Sequence, residues 1–266
     1  MMPESSRVFR KKMCYWSVAD GEHSKQLQTL VNSARRVGCQ EDFLAWSDVK
    51  IENATVSNPC GKFSKENYLF KITFLLNEAV KYDYDYFCWL DADNYFVRKP
   101  RSLLEHVNEG LVLVPMENAI NSIANKRQDW WGVPTEKTVE LFRRFGVKGK
   151  SVYNTNAGLF IVKKEFITSF CNMVYEFHYM ISKLGYMVTE EYCIAIIGNL
   201  FNQDLEAAST EELIDIWACD WTGEFVNRLP TGEPWSWQNY LTGEKRTVNP
   251  AIVHLMRYEV PEDGIK

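Results

Sequence analysis

Over the first two-thirds of the chain, short apolar runs alternate with stretches of helical period. That pattern predicts an α/β fold on a mixed, mainly parallel sheet flanked by helices. The first run covers 13–18 and ends in Ala19-Asp20-Gly21. A helix should follow, with Leu27, Leu30, Val31, Ala34 and Val37 on one face and Gly38 as its stop. Residues 43–46 read as a second strand. Ser64 is placed to cap a helix whose apolar face carries Tyr68, Leu69, Ile72, Leu75, Leu76 and Ala79, ending near Tyr82. Residues 86–90 lack polar alternation, as expected of a strand covered on both faces. Pro100 suits the first turn of a short helix reaching Val107. Strands are expected at 111–114 and 159–162, and helices near 164–182 and 190–197. The final stretch differs: Trp217, Trp221, Trp235 and Trp237 are interleaved with Thr222-Gly223, Thr231-Gly232 and Thr242-Gly243, which reads as a hairpin-rich C-terminal lobe.

Composition narrows the function classes. At 46 % hydrophobic and 24 % charged residues, the 266-residue chain is neither disordered nor fibrous. A net charge of −5, from 30 Lys+Arg against 35 Asp+Glu with no basic block, argues against a nucleic-acid partner. No apolar run reaches the roughly 18 residues of a membrane span. The start MMPESSRVFRKK lacks the apolar core of a signal peptide, so a cytoplasmic location is expected. Seven cysteines, an odd number without a CxxC, are expected to be buried thiols in a reducing compartment.

The most informative segment is Tyr86-Phe87-Cys88-Trp89-Leu90-Asp91-Ala92-Asp93-Asn94, an apolar strand running into two aspartates one residue apart. Side chains at i and i+2 of a strand share a side, and ligands of open α/β sheets sit beyond the strands' carboxyl ends. Two carboxylates placed there call for a cation between them, and oxygen ligands favour a hard divalent ion such as Mg²⁺ or Mn²⁺. The same residues also suit a plain turn.

With this segment in place, the sequence resembles glycosyltransferases of the GT-A fold, which use nucleotide-sugar donors and carry a hydrophobic run and Asp-x-Asp after about three βα units. Three further segments are similar to that family. Asn154-Thr155-Asn156-Ala157-Gly158 before the 159–162 strand looks like the Asn-Ala/Ser-Gly element of retaining enzymes related to glycogenin and bacterial galactosyltransferases. Thr189-Glu190-Glu191-Tyr192 opens a helix where the family places an acidic or amide residue near the reacting sugar, and Ala251-Ile252-Val253-His254 looks like its late strand ending in a metal-binding histidine. The resemblance covers residues 12 to 258. It departs after His254, where Leu255-Met256-Arg257-Tyr258 replaces the Gly and Lys-Pro-Trp of glycogenin-like members.

The resemblance implies one GT-A-like domain over 1–266, with a nucleotide-sugar-binding half at 12–115 and an acceptor half and C-terminal flap at 116–266. Asp93 and His254 would bind Mn²⁺ (or Mg²⁺) directly, and Asp91 would contact the metal or ribose. Val18, Ala19, Lys71 and Ala92 would border a UDP- or GDP-sugar, and Arg257 would supply the phosphate-clamping cation. Asn156 would hydrogen-bond sugar hydroxyls or serve as a turn residue. Glu190 or Glu191 would act at the reacting carbon, although Thr-Glu-Glu is also good helix N-terminal chemistry. Trp130-Trp131 and the later tryptophans would stack on sugars or pack the core. The expected reaction is sugar transfer to a glycan, protein or small-molecule hydroxyl, with retention. The alternatives are a carbohydrate-binding protein without catalysis, a haloacid-dehalogenase-type phosphatase and a sugar nucleotidyltransferase. The phosphatase would want its Asp-x-Asp on the first strand, and the nucleotidyltransferase a Gly-rich basic loop where Ala19-Asp20-Gly21-Glu22-His23 stands.

Overall fold

In chain order, β1 (Met13–Ala19) passes through α1 (His23–Arg36) to β2 (Asp42–Ser47) and β3 (Val56–Pro59). Next, α2 (Phe70–Asn77) and a single 3-10 turn lead to β4 (Tyr86–Leu90) and β5 (Asn94–Phe96). Short elements follow: α3 (Leu104–Val107), β6 (Val112–Leu113), β7 (Met116–Ala119) and the hairpin β8 (Asp129–Trp130) with β9 (Val133–Pro134). Then come α4 (Thr135–Arg144), β10 (Tyr153–Thr155), β11 (Leu159–Lys163), α5 (Ile167–Lys183) and α6 (Glu190–Phe201). The chain closes with β12 (Trp217–Cys219), β13 (Gly223–Phe225), β14 (Trp235–Asn239), β15 (Lys245–Val248) and β16 (Ile252–His254). The computed structural model describes residues 11–62, 68–101, 103–107, 111–114, 116–121, 128–201, 216–219, 223–225, 235–239 and 243–255.

The central sheet runs β3-β2-β1-β4-β11-β6, with β3, β2, β1 and β4 parallel and β11 antiparallel to both its neighbours. It is therefore mixed and mainly parallel. Its central strands β1, β4 and β11 are largely apolar and buried because both faces are covered, whereas the edge strand β3 is polar and partly exposed. On one face Trp16, Trp46, Phe87, Trp89 and Phe160 meet α2, α5 and α6, with the Trp16 and Trp89 rings 4.5 Å apart. On the other, Tyr15, Phe43, Tyr86, Cys88 and Leu90 pack with α1 and with Trp217 and Ile252. From β1 the order runs outward in both directions, to β2 after α1 and to β4 after α2. The ends of β1 and β4 thus flank a topological switch point, where open α/β sheets leave a crevice.

A second sheet, β12-β16-β5, draws the end of the chain back beside β4. Of the expected hairpin-rich C-terminal lobe, the described residues form the antiparallel meander β13-β14-β15, while β12 and β16 join this second sheet. The helix expected to end near Tyr82 stops at Asn77, where Glu78 leaves helical geometry at φ −121°. The helix expected from Pro100 begins at Leu104. The chain before it is tied to the last strand instead, with Val97 N–H on the Ala251 carbonyl and Arg98 Nε on that of Asn249. Ser64, Trp221 and Arg257 lie outside the described residues, as do the side chains of Trp235 and Trp237. All seven cysteines carry thiols, six of them buried and Cys60 half-buried. Among the described residues no helix is long and apolar enough to cross a membrane.

Candidate metal centre

β4 ends at Leu90, and residues 91–94 form a tight turn closed by the Asn94 N–H on the Asp91 carbonyl at 3.0 Å. The carboxylates of Asp91 and Asp93 therefore converge through a turn and not through the strand pleat. The turn and the acidic pair, which the sequence offers as alternatives, are the same feature. Buried Asn94 locks it. Its Nδ2 donates to the carbonyls of Asp91 (2.9 Å) and Gly158 (3.0 Å), and its Oδ1 accepts the Trp217 indole N–H at 2.8 Å.

His254 ends β16, paired with Asn94 of β5 on one side and Cys219 of β12 on the other. Its Nε2 lies 2.9 Å from Asp93 Oδ1 and 3.8 Å from Asp91 Oδ2, and its Nδ1 is 3.5 Å from Cys219 Sγ. The Trp217 ring lies 5.9 Å from the imidazole, at 33°. Gly158 lies against the imidazole so closely that a Cβ there would collide with its Cε1 and Nδ1 and with Asn156 Oδ1. One ligand atom each from Asp91, Asp93 and His254 lie within 4.8 Å of one another, a candidate metal-binding triad. Two carboxylates and an imidazole fit a divalent ion of the Mg²⁺–Mn²⁺ type, and anchoring Nδ1 leaves Nε2 to face it.

Electrostatics agree with a cation site. Burial opposes a charged imidazole, yet the Asp93 carboxylate, and Cys219 behind it, hold the His254 pKa well above its ordinary value. Burial also pushes the Asp93 carboxyl up, but His254 overcomes it and keeps that pKa below the usual range. Both directions favour an ionised Asp93 facing the imidazole, and a metal ion bound at Nε2 would take the place of the imidazole's proton.

Lys71, buried on α2, ties this centre to α6. Its Nζ lies 3.0 Å from Asp91 Oδ1 and 2.9 Å from Glu190 Oε1. Burial disfavours its charge, but the two carboxylates raise its pKa above the ordinary lysine value. The Trp89 indole also donates to Asp91 Oδ1, at 2.7 Å, so Oδ2 is the oxygen turned to His254.

Glu190 and Glu191 diverge because successive helical residues point about 100° apart. Glu190 lines the cleft, and its Oε2 is buried with no hydrogen-bond partner. Glu191 turns to the other side: its Oε2 accepts the Ala157 N–H at 3.0 Å and its Oε1 the Trp131 indole N–H at 2.8 Å. Burial outweighs these two donors and pushes the Glu191 pKa up to about 7. Asn156 makes a turn, its Oδ1 accepting the Gly158 N–H at 2.9 Å.

A cleft of about 840 Å³ opens at the switch point. It brings together Val18 and Ala19 at the end of β1, Lys71, the Asp91-Ala92-Asp93 turn and Glu190. Asn156, Glu191 and His254 stand behind or beside this wall. Asp20, Glu22, Asp91, Asp93 and Glu190 outweigh Lys62 and Lys71 in the lining, and Lys71 is already paired, so the cleft is acidic. Sequence reasoning missed Asn94, Trp217 and Cys219. Only burial of a polar Asn beside the Asp pair hinted at the first, and pairing across distant strands hides the others. No protein-family model matches the chain, and no curated protein sequence matches it.

Proposed function

We propose that this chain is a metal-dependent glycosyltransferase that moves a sugar from a UDP- or GDP-sugar to an acceptor hydroxyl with retention. The observation that carries the reading is the Asp91–Asp93–His254 group at the carboxyl end of β4, whose two aspartates line an acidic cleft at the switch point. An anionic diphosphate would be repelled by such a lining unless a divalent cation came with it. Asp91, Asp93 and His254 would hold Mn²⁺ or Mg²⁺, which when bound supplies Lewis-acid neutralisation of the departing diphosphate.

The chain's own residues divide the remaining work. Val18 and Ala19 border the nucleoside end of the cleft, and Lys71 keeps Asp91 and Glu190 in register. Glu190, which lines the cleft, faces the donor sugar and stabilises positive charge at its reacting carbon. The bond from that carbon to phosphate oxygen breaks, with its electron pair leaving on the nucleoside diphosphate. The acceptor oxygen forms the new bond, and its proton passes to the departing diphosphate oxygen on the same face of the sugar.

The test is release of nucleoside diphosphate from a panel of UDP- and GDP-sugars with Mn²⁺, in the presence and absence of pooled acceptors. The expected result is release with one donor class, abolished by EDTA and by Asp93→Ala. Metal-dependent donor binding without release would favour the non-catalytic sugar-binding alternative. Donor binding indifferent to metal would overturn the proposal.

A further inference from the structure

The β8–β9 hairpin carries one of the largest side chains on an unaccommodating piece of backbone. Its two loop residues, Trp131 and Gly132, both have positive φ, 53° and 71°. This is the sign pattern of a type I′ turn, whose positions Asn, Asp and Gly normally fill. The hairpin itself gains nothing from an indole there. Nor is the ring packed away: Trp131 is 46 % exposed, whereas its neighbour Trp130 is buried and stacks on Tyr192 at 4.9 Å.

What holds Trp131 is Glu191. The indole N–H donates to Oε1, while Oε2 takes the N–H of Ala157, the residue before the glycine that seats His254. The exposed ring is thus joined to the seat of His254 through Glu191 and the Ala157-Gly158 backbone. Glu191 is the next residue along α6 from Glu190, which lines the donor cleft. A strained residue over-determined by its surroundings is a sign of function.

We propose that Trp131 and Glu191 form the acceptor subsite and that the acceptor is a carbohydrate, one pyranose face lying on the indole with a ring hydroxyl hydrogen-bonded to Glu191. A pyranose presents a flat C–H face and a rim of hydroxyls. An aromatic plate beside a carboxylate acceptor matches both. The inference rests on the transferase reading and adds to it the acceptor's chemical class.

The experiment uses the full chain labelled with 5-fluorotryptophan, the Trp131 signal being assigned from Trp131→Phe. Methyl α- and β-glycosides of glucose, galactose, mannose, xylose and N-acetylglucosamine are titrated by ¹⁹F NMR, with and without Mn²⁺ and uridine or guanosine diphosphate. A saturable shift of the Trp131 resonance with one glycoside class is expected. Trp131→Ala should weaken that glycoside at least tenfold, Trp131→Phe less, and retained Mn²⁺ affinity reports that each variant is folded. If a variant fails to fold, the titration of the wild-type signal still decides. A resonance unmoved by every glycoside would overturn the proposal. Metal-dependent donor binding in the same samples separates the two readings. Donor binding with a silent Trp131 sinks the subsite alone, and a glycoside shift without donor binding sinks the donor reading alone.

Discussion

Replacing Gly158 by alanine tests how tightly the metal-facing imidazole is seated. The added Cβ would fall on the His254 ring and on Asn156 Oδ1, so atoms must move. Neither neighbour has an easy retreat. The ring is held between Asp93 and Cys219 with Trp217 beside it, and Asn156 Oδ1 is bonded to the Gly158 N–H. Overpacking of this kind costs about 1–3 kcal/mol, equivalent to a Tm loss of about 2–5 °C in a chain of this size. The larger effect should fall on the metal. Displacing a group that orients a ligating histidine lowers affinity by about 10–100-fold. Mn²⁺ binding followed by electron paramagnetic resonance, with thermal unfolding alongside, reads both. Gly61→Ala is the control, since a Cβ there meets nothing within 4 Å. Wild-type Mn²⁺ affinity and Tm in Gly158→Ala would refute the seating argument.

Other predictions follow from the same geometry. Glu191 has its native pKa raised to about 7 from 4.5, so the native state binds its proton more tightly than the unfolded chain. Its contribution is intact below about pH 4 and falls as pH rises through 7, at up to about 1.4 kcal/mol per pH unit. Glu191→Gln should flatten that part of the Tm–pH profile, and parallel profiles would contradict the assignment. Lys71→Met leaves Asp91 and Glu190 without their shared cation and should cost about 3–5 kcal/mol in denaturant unfolding. Adding Glu190→Gln should recover part of the loss, and strict additivity would count against the bridge. Cys219→Ala should weaken Mn²⁺ binding by about tenfold or more, with partial rescue in Cys219→Ser, because a hydroxyl can still engage Nδ1.

The local pattern was legible where burial is two-sided. The apolar run 86–90 is β4 to the residue, and the helix starting at Glu190 begins where its acidic first turn placed it. Asp91, Asp93 and His254 could be named because an acidic pair after an apolar strand, and a histidine ending another, are local signals. Their meeting depends on β16 pairing with β5 and β12, contacts spanning 160 and 35 residues of chain that no periodicity encodes. The division between Glu190 and Glu191 was hidden for another reason. Consecutive residues on one helix turn differ only in what packs opposite them, here Lys71 for one and Trp131 for the other. Trp131 read more readily as core or flap packing than as a sugar-stacking ring until its positive φ and its bond to Glu191 were in view.

The central claim is that Asp91, Asp93 and His254 hold a divalent ion for a nucleotide-sugar donor. Isothermal titration of Mn²⁺ into wild type, Asp93→Asn and Cys219→Ala, each followed by UDP- and GDP-sugars, tests it most directly. The account predicts one Mn²⁺ per chain in the wild type, loss of that site in Asp93→Asn, and donor binding only when the ion is present. Equal Mn²⁺ binding by wild type and Asp93→Asn, or donor binding undiminished by EDTA, would contradict it.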